Sequence, residues 1–159
     1  MRLVIADTSP INYLILIDRV EILARLFTSV VLPSAVEAEL AAADAPAEVR
    51  AWIATPPGWL EIVNAPAVAN PAGIHHGEAA AIALANSMSA DLLLIDDRKG
   101  VDVARRQGLR VTGTLGVLDL AAERGLLDFA EAIRALEQTT FRRPDELLNS
   151  LLAKHQKKE

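Results

Sequence analysis

Short apolar runs alternate with segments of helical pattern along the whole chain. Each run is three to five residues long, and polar or turn-forming residues separate it from the next helical segment. The pattern predicts strands over residues 3–6, 29–32, 59–63, 92–95 and 109–111. It predicts helices over residues 11–17, 20–27, from 34 onward, 44–54, 77–88, 100–107, 115–124, 128–139 and 144–154. Strands alternating with helices pair in parallel and are covered on both faces. The predicted fold class is therefore an α/β, three-layer α/β/α sandwich with a mainly parallel central sheet.

The length and composition of the chain are typical of a single domain with one hydrophobic core. The chain has 159 residues, with 52% hydrophobic and 4% aromatic residues, which predicts a core of Leu, Ile, Val and Ala. We expect a single domain over residues 1–159, with C-terminal helices at about 126–154 packed on it. The residues 155–159 are expected to form a basic, disordered tail.

The absence of cysteine limits the possible chemistry. The chain has no cysteine, which excludes disulfides, thiolate metal sites and a cysteine nucleophile, and which suits a reducing compartment. No apolar run approaches the length of a membrane span, and the N-terminal run is too short for a signal peptide. We expect a cytoplasmic protein with no membrane partner.

The positions of the acids are the strongest functional signal. Asp7 and the pair Asp96 and Asp97 follow strands, Glu78 opens a helix, and Glu39 lies about one turn into another helix. Strand C-termini and helix N-termini share one edge of a parallel sheet, so these carboxylates should converge there. Crowded carboxylates need a countercharge, and an all-oxygen ligand set suits Mg²⁺ or Mn²⁺.

Asp91 serves as an internal control for this reasoning. It precedes the strand that Asp96 follows, which places it about 15 Å away, at the opposite edge of the sheet.

The turn from Thr112 to Thr114 adds hydroxyls and backbone N–H groups at a helix N-terminus, a candidate phosphate site whose alternative role is plain helix capping.

Helix capping explains some polar residues without invoking function. Ser34 and Glu37 have capping-box spacing, which favours Glu39 rather than Glu37 for chemistry. The Thr8 and Ser9 hydroxyls precede a proline in a first helical turn and could cap that helix. The same structural alternatives apply to Asp7, as a helix cap, and to Glu78, as an acid at a positive helix end.

The sequence argues against several other kinds of catalytic or binding site. The adjacent His75 and His76 have no partner spacing, so neither is predicted to be catalytic. Ser9 lacks a nucleophile elbow, and there is no nucleotide-binding glycine loop. A formal net charge of −5 argues against a general nucleic-acid coat protein but not against a nuclease, because a carboxylate metal site is itself acidic. Basic residues cluster at 98–110, 142–143 and 154–158, and solvated helix faces explain each cluster most simply.

Four motifs in order resemble the PIN-domain family, in particular its VapC-like, DUF3368-type branch of ribonucleases. They are Asp-Thr-Ser-Pro at 7–10, Gly-Glu-Ala at 77–79, Leu-Leu-Ile-Asp-Asp-Arg-Lys at 93–99 and Val-Thr-Gly-Thr-Leu-Gly-Val-Leu at 111–118. The helix from residue 144 is also similar to this branch. The resemblance implies cleavage of single-stranded RNA with Mg²⁺ or Mn²⁺, commonly as the toxin of a VapBC-like toxin–antitoxin pair. It also implies a small antitoxin protein as partner and a homodimer.

The resemblance assigns roles to individual residues. The four catalytic acids would be Asp7, Glu39, Glu78 and Asp97. The metal ligands would be Asp7, Glu78 and Asp97, with Asp96 either a ligand or a neighbour that supports them. Ile95 stands where the family usually has Thr, and Glu78 where many relatives have Asp. Contacts to substrate phosphate are expected from Thr8, Ser9, Arg98, Lys99, Thr112 and Thr114.

Two other classes of function remain open at this point. The chain could be a non-catalytic PIN-like module that binds nucleic acid or protein, although its intact acids argue against this. It could also be an Asp-based phosphatase or a phosphoacceptor receiver. A phosphatase should have a second Asp where Ser9 stands, and a receiver should have its acidic pair after the first strand.

Overall fold

The computed structural model of the chain describes residues 2–67, 70, 73–142 and 145–156. Five strands form one sheet in which all pairs are parallel, in the order β3-β2-β1-β4-β5. The strands are β1 (Leu3–Ala6), β2 (Ser29–Pro33), β3 (Leu60–Val63), β4 (Leu92–Leu94) and β5 (Val111–Thr112).

Nine helices lie in the described part of the chain. They are α1 (Thr8–Leu16), α2 (Ile22–Leu26), α3 (Ser34–Leu40), α4 (Ala47–Ala54), α5 (His76–Ser87), α6 (Arg98–Arg106), α7 (Thr114–Glu123), α8 (Phe129–Glu137) and α9 (Asp145–Gln156). None of these helices is long and apolar enough to cross a membrane.

The central strands bury side chains on both faces. Val4 and Ala6 of β1 pack in one core cluster with the helices α1–α4 and α7–α9, whereas Ile5 packs in a second cluster with α5 and α6. The same alternation holds in β2, where Val30 and Val31 point to opposite clusters. Because successive residues of a strand face opposite sides, an apolar run buries both faces at once. The predicted three-layer α/β/α sandwich with a parallel sheet is confirmed.

The order of the strands creates a crevice. The chain builds the sheet outward from β1 through β2 to β3, and α5 then carries it back to β4 on the other side of β1. Open α/β sheets bind ligands at such a reversal, outside the carboxyl ends of the strands. The crevice therefore lies between the ends of β1 and β4.

Some element boundaries differ from the predictions. The predicted helix over 44–54 begins only at Ala47, where it follows Pro46. The last helix continues to Gln156, so residues 155 and 156 are helical and were wrongly placed in a disordered tail. The rest of that tail, and the predicted helix start at residue 144, lie outside the described residues.

Two capping predictions were also wrong. Ser34 is the first residue of α3 and Pro33 holds the N-cap position, so no Ser34–Glu37 capping box forms. Thr8 likewise lies inside α1, with Asp7 at the N-cap position. The Thr8 hydroxyl is free of capping and instead contacts a distant acid.

Candidate functional site

A cavity of about 800 Å³ opens at the crevice and collects all five predicted acids. Asp7 comes from the end of β1, Glu39 from α3, Glu78 from α5, and Asp96 and Asp97 from the end of β4. The other lining residues are Thr8, Ser9, Asn12, Tyr13, His75, Arg98, Thr140, Phe141 and Arg142.

Asp7 lies deepest among these acids. Its side chain is 4% exposed, and its Oδ1 atom is buried without a hydrogen-bond partner in the described part of the chain. Burial raises the pKa of Asp7 to about 7; repulsion from Glu78, Glu39 and Asp96 adds to the increase, and the Thr8 backbone N–H opposes it. A carboxylate in this position is poorly stabilised by the protein alone.

The two carboxylate oxygens of Glu78 differ: one caps a helix, and the other has no hydrogen-bond partner among the described residues. Its Oε1 accepts a hydrogen bond from the His75 backbone N–H, 3.3 Å away, at the start of α5. Its Oε2 is buried and has no partner in the described residues. Burial raises the pKa of Glu78 to about 7, and the neighbouring Asp97 raises it further. Capping and chemistry are thus compatible, because each uses a different oxygen.

Asp96 is held in place by three hydrogen bonds. The Thr114 backbone N–H donates to Oδ1 at 2.7 Å, and the hydroxyls of Thr114 and Ser9 donate to Oδ2 at 2.7 and 3.0 Å. Burial raises the pKa of Asp96, and these donors oppose the rise. Ile95 packs in the core at 1% exposure, so the hydroxyls near this acid come from Ser9 and Thr114.

Thr114 does not have the phosphate-binding geometry that was predicted. Its side chain is fully buried, and both its N–H and its hydroxyl already donate to Asp96. Thr112 and Lys99 do not line the cavity with the acids, whereas Thr8, Ser9 and Arg98 do. Of the six residues predicted to contact phosphate, only these three border that cavity.

Glu39 is positioned by a hydroxyl and a histidine. The Thr8 hydroxyl donates to Glu39 Oε1 at 2.6 Å, and His75 Nδ1 lies 3.2 Å from Oε2. Asp97 occupies the N-cap position of α6, where its side chain accepts a 3.4 Å hydrogen bond from the Gly100 N–H. Asp97 remains exposed to solvent, unlike Asp7 and Glu78.

Three carboxylates lie against glycines. A Cβ at Gly113 would come within 2.5 Å of Asp96 Oδ1, and one at Gly100 would come within 2.5 Å of Glu78 Oε2. A Cβ at Gly77 would collide with the carboxylate of Glu39. The missing side chains leave the space that the acids occupy, so these glycines help to define the cavity.

Asp91 lies where the control argument placed it. It pairs with Leu3 at the start of β1, accepting from the Leu3 N–H at 2.7 Å and donating its own N–H at 2.9 Å. It borders a different cavity, with Arg2 and Arg110, at the opposite edge of the sheet. The edge assignment of the acids is therefore consistent with the structure.

The sequence reasoning missed several residues of this cavity. His75 was not predicted to be part of the site, yet it contacts Glu39 and Glu78. Tyr13 was missed because its partners come from the far end of the chain. Its hydroxyl lies 2.9 Å from the Thr140 hydroxyl, and its ring meets Phe141 edge-on at 5.1 Å. Asn12, Thr140, Phe141 and Arg142 also line the cavity and were not predicted. Of these contacts, only that of His75 with Glu78 could have been predicted, because the two residues are three positions apart in the sequence.

The donor set fits a divalent cation of the Mg²⁺ type. The five acids offer carboxylate oxygens, the atoms that such a cation prefers, and two buried carboxylate oxygens have no partner in the described part of the chain. A cation would supply the missing contacts and lower the raised pKa of Asp7 and Glu78. Across the described residues, no three acidic or histidine side chains are already arranged as a complete set of ligands. A bound ion would have to draw the carboxylates together against their repulsion.

Comparison with known proteins identifies the family. A family model described as a PIN domain, DUF3368, matches residues 3–157. No curated protein and no solved structure matches the chain. PIN domains are generally nucleases that use divalent metal ions and bind nucleic acids. With this match over nearly its whole length and a cavity of acids at the expected edge of its sheet, the chain belongs to the PIN-domain family.

Proposed function

We propose that the protein is a metal-dependent endoribonuclease that cleaves single-stranded RNA with Mg²⁺ or Mn²⁺. One observation carries the proposal: Asp7 Oδ1 and Glu78 Oε2 are buried, with no hydrogen-bond partner among the described residues, in a cavity that collects five acids. Unsatisfied carboxylate oxygens are costly in a folded protein, and a cation would compensate for both.

The acids divide into ligands and supporting groups. Asp7, Glu78 and Asp97 would hold the metal, because each has an oxygen without a strong donor. Asp96 would fix the geometry, since three hydrogen bonds hold its carboxylate and leave about one lone pair free. When bound, the metal supplies charge to activate a water molecule and to stabilise the phosphodiester transition state.

Glu39 would work at the mouth of the cavity. It is less buried than Asp7, and Thr8 and His75 orient its two oxygens. In that position its carboxylate can accept a proton from an attacking water molecule. Arg98 and Arg142 line the same cavity and would attract the substrate phosphates.

The test compares three purified proteins on a fluorescent single-stranded RNA. Wild type should cleave with Mn²⁺ and lose cleavage with chelator, and Asp7→Asn should lose at least about 100-fold in rate, because it removes a ligand without changing volume. Asp91→Asn is the matched control, since it makes the same substitution at the opposite edge of the sheet. Cleavage that is indifferent to chelator, or equal in wild type and Asp7→Asn, would rule out the proposal.

A second candidate is a PIN-like module that binds RNA or protein without cleaving. It is favoured by the finding that no three described acidic or histidine side chains already form a ligand set. Such a module would bind RNA equally well with Mn²⁺ and with chelator and would yield no products.

We further propose that the nuclease is the toxin of a VapBC-like pair, acts in the cytoplasm and forms a homodimer. These finer assignments come from the resemblance to the VapC-like branch. A small antitoxin reading frame beside the gene, and co-purification of its product with this chain, would support them; a nuclease that cells tolerate without any such partner would contradict them.

A further inference from the structure

A second cavity of about 320 Å³ lies beside the first. The two cavities share Asp96, Phe141 and Arg142 in their linings, so they meet at the same wall. Of the residues with a predicted role in the site, only Asp96 and Thr112 line this second cavity. A substrate lying over Asp96 would extend from one cavity into the other.

Much of the lining of the second cavity is apolar. It includes Val101 from α6, Val111 from β5, and Leu147 and Leu151 from α9. Leu147 is 46% exposed, which makes it the most exposed large hydrophobic residue in the described part of the chain. An exposed apolar side chain at a cavity rim is suited to a flat, weakly polar group such as a nucleobase.

The same lining also carries unpaired positive charge. Arg105 and Arg142 line the cavity, and within the described residues neither guanidinium has an ion pair or a hydrogen bond. The one further acid in this lining, Asp119, is already paired with Lys154 at 2.9 Å and with His155 at 2.8 Å. The cavity thus offers free cations, an apolar surface and a compensated acid, a combination that suits a nucleotide.

We propose that this cavity is a nucleotide subsite next to the cleavage site. The base of a nucleotide flanking the cleaved phosphate lies against Leu147, Leu151 and Val101, and its phosphate contacts Arg105 and Arg142. This inference rests on the proposed function and deepens it. Only an unstacked base can enter such a cavity, so the subsite would favour single-stranded over duplex RNA.

The first experiment separates a specific phosphate contact from general attraction. Arg105→Gln and Arg106→Gln remove the same charge from neighbouring exposed positions on α6, but only Arg105 lines the cavity. Affinity for a fluorescent 12-nucleotide single-stranded RNA is measured by anisotropy with chelator present, over a series of salt concentrations. Arg105→Gln should weaken binding about five- to tenfold and lower the salt slope by about 0.7, the value for one lost contact to a single strand. Arg106→Gln should weaken binding less than twofold.

The second experiment tests the base contact. Leu147→Asp and Asn149→Asp each add one negative charge to an exposed position of α9, and only Leu147 lines the cavity. Removing one base beside the cleavage site should weaken wild-type binding on the order of tenfold, as expected for one lost base contact. Leu147→Asp should already lack that contact and should bind the intact and abasic RNAs equally. Asn149→Asp should still distinguish them.

The outcomes keep this inference separate from the proposed function. If wild type cleaves RNA but Arg105→Gln matches Arg106→Gln and Leu147→Asp matches Asn149→Asp, the subsite is wrong and the nuclease stands. A cavity that serves a protein segment would give the same negative result with RNA. If wild type binds RNA through Arg105 but never cleaves it, the subsite stands and the nuclease proposal fails.

Discussion

Metal-free protein should lose stability as the pH rises from 5 to 8, and Asp7→Asn should remove the part of that loss that Asp7 causes. The pKa of Asp7 is raised from 3.8 to about 7 and that of Glu78 from 4.5 to about 7. The folded protein therefore binds more protons than the unfolded chain between these values. Under proton linkage, stability falls as pH rises through that window.

The size of the effect follows from the pKa values. The interval from pH 5 to the folded-state pKa of Asp7, about 7, is about two pH units. At 1.36 kcal/mol per unit, the titration of Asp7 over this interval lowers the free energy of unfolding by about 3 kcal/mol. Glu78 spans the same interval, but part of each shift is repulsion between the acids, so the two effects add to less than their sum. For a chain of this size, about 3 kcal/mol corresponds to roughly 6–12 °C in Tm.

Thermal melts at pH 5 and pH 8, with chelator, measure this directly. At pH 8, metal-free Asp7→Asn should melt roughly 6–12 °C above wild type, and the gap should narrow at pH 5. Adding Mn²⁺ at pH 8 should raise the Tm of wild type and leave Asp7→Asn nearly unchanged. A mutation that abolishes cleavage would therefore stabilise the protein.

Asp91→Asn, at the far edge of the sheet, should show the same difference in Tm between the two pH values as wild type. Parallel pH profiles for wild type and Asp7→Asn, or a wild type that gains stability with pH, would refute this account of the site.

Two further outcomes test the same cavity. Gly113→Ala should lower metal-dependent cleavage about tenfold or more, because its Cβ would lie within 2.5 Å of Asp96 Oδ1. Gly58→Ala, with nothing near its Cβ, should not lower it, and full activity in both variants would show that the cavity tolerates the added methyl group. A hundredfold excess of Mn²⁺ over its Kd should stabilise wild type by about 2.7 kcal/mol, and this increment should nearly vanish in Asp97→Asn but persist in Asp91→Asn; an equal increment in both variants would place the ion elsewhere.

The edge of the sheet that carries the acids was predictable, because it depends on local pattern. Apolar runs mark the strands, and the first polar residue after each run lies at a strand end. That rule alone places Asp7 and Asp96 together and Asp91 apart, as the structure has them. The parallel pairing of β1 with β4 then brings the C-terminal ends of these two strands side by side.

Contacts between distant segments were not predictable in this way. Residues 140–142 lie at the cavity because Tyr13 packs on Phe141. No sequence pattern near either residue predicts that contact. The hydroxyls of Thr8, Ser9 and Thr114 were predicted to contact substrate phosphate, with helix capping as their alternative role. In the folded chain Thr8 donates to Glu39, and Ser9 and Thr114 donate to Asp96, since buried carboxylates compete for the same donors.

The reversal of the chain between β3 and β4 has a consequence for how the protein is made. Asp7 leaves the ribosome first, but Asp96 and Asp97 appear only after β1, β2, β3 and α5 have been synthesised. Until β4 pairs with β1, a nascent chain carries an incomplete set of acids and no crevice. An interrupted translation product that ends before β4, or a proteolytic fragment without it, therefore lacks the proposed active site. Under the proposed function, only a chain that has folded through β4 can cleave RNA.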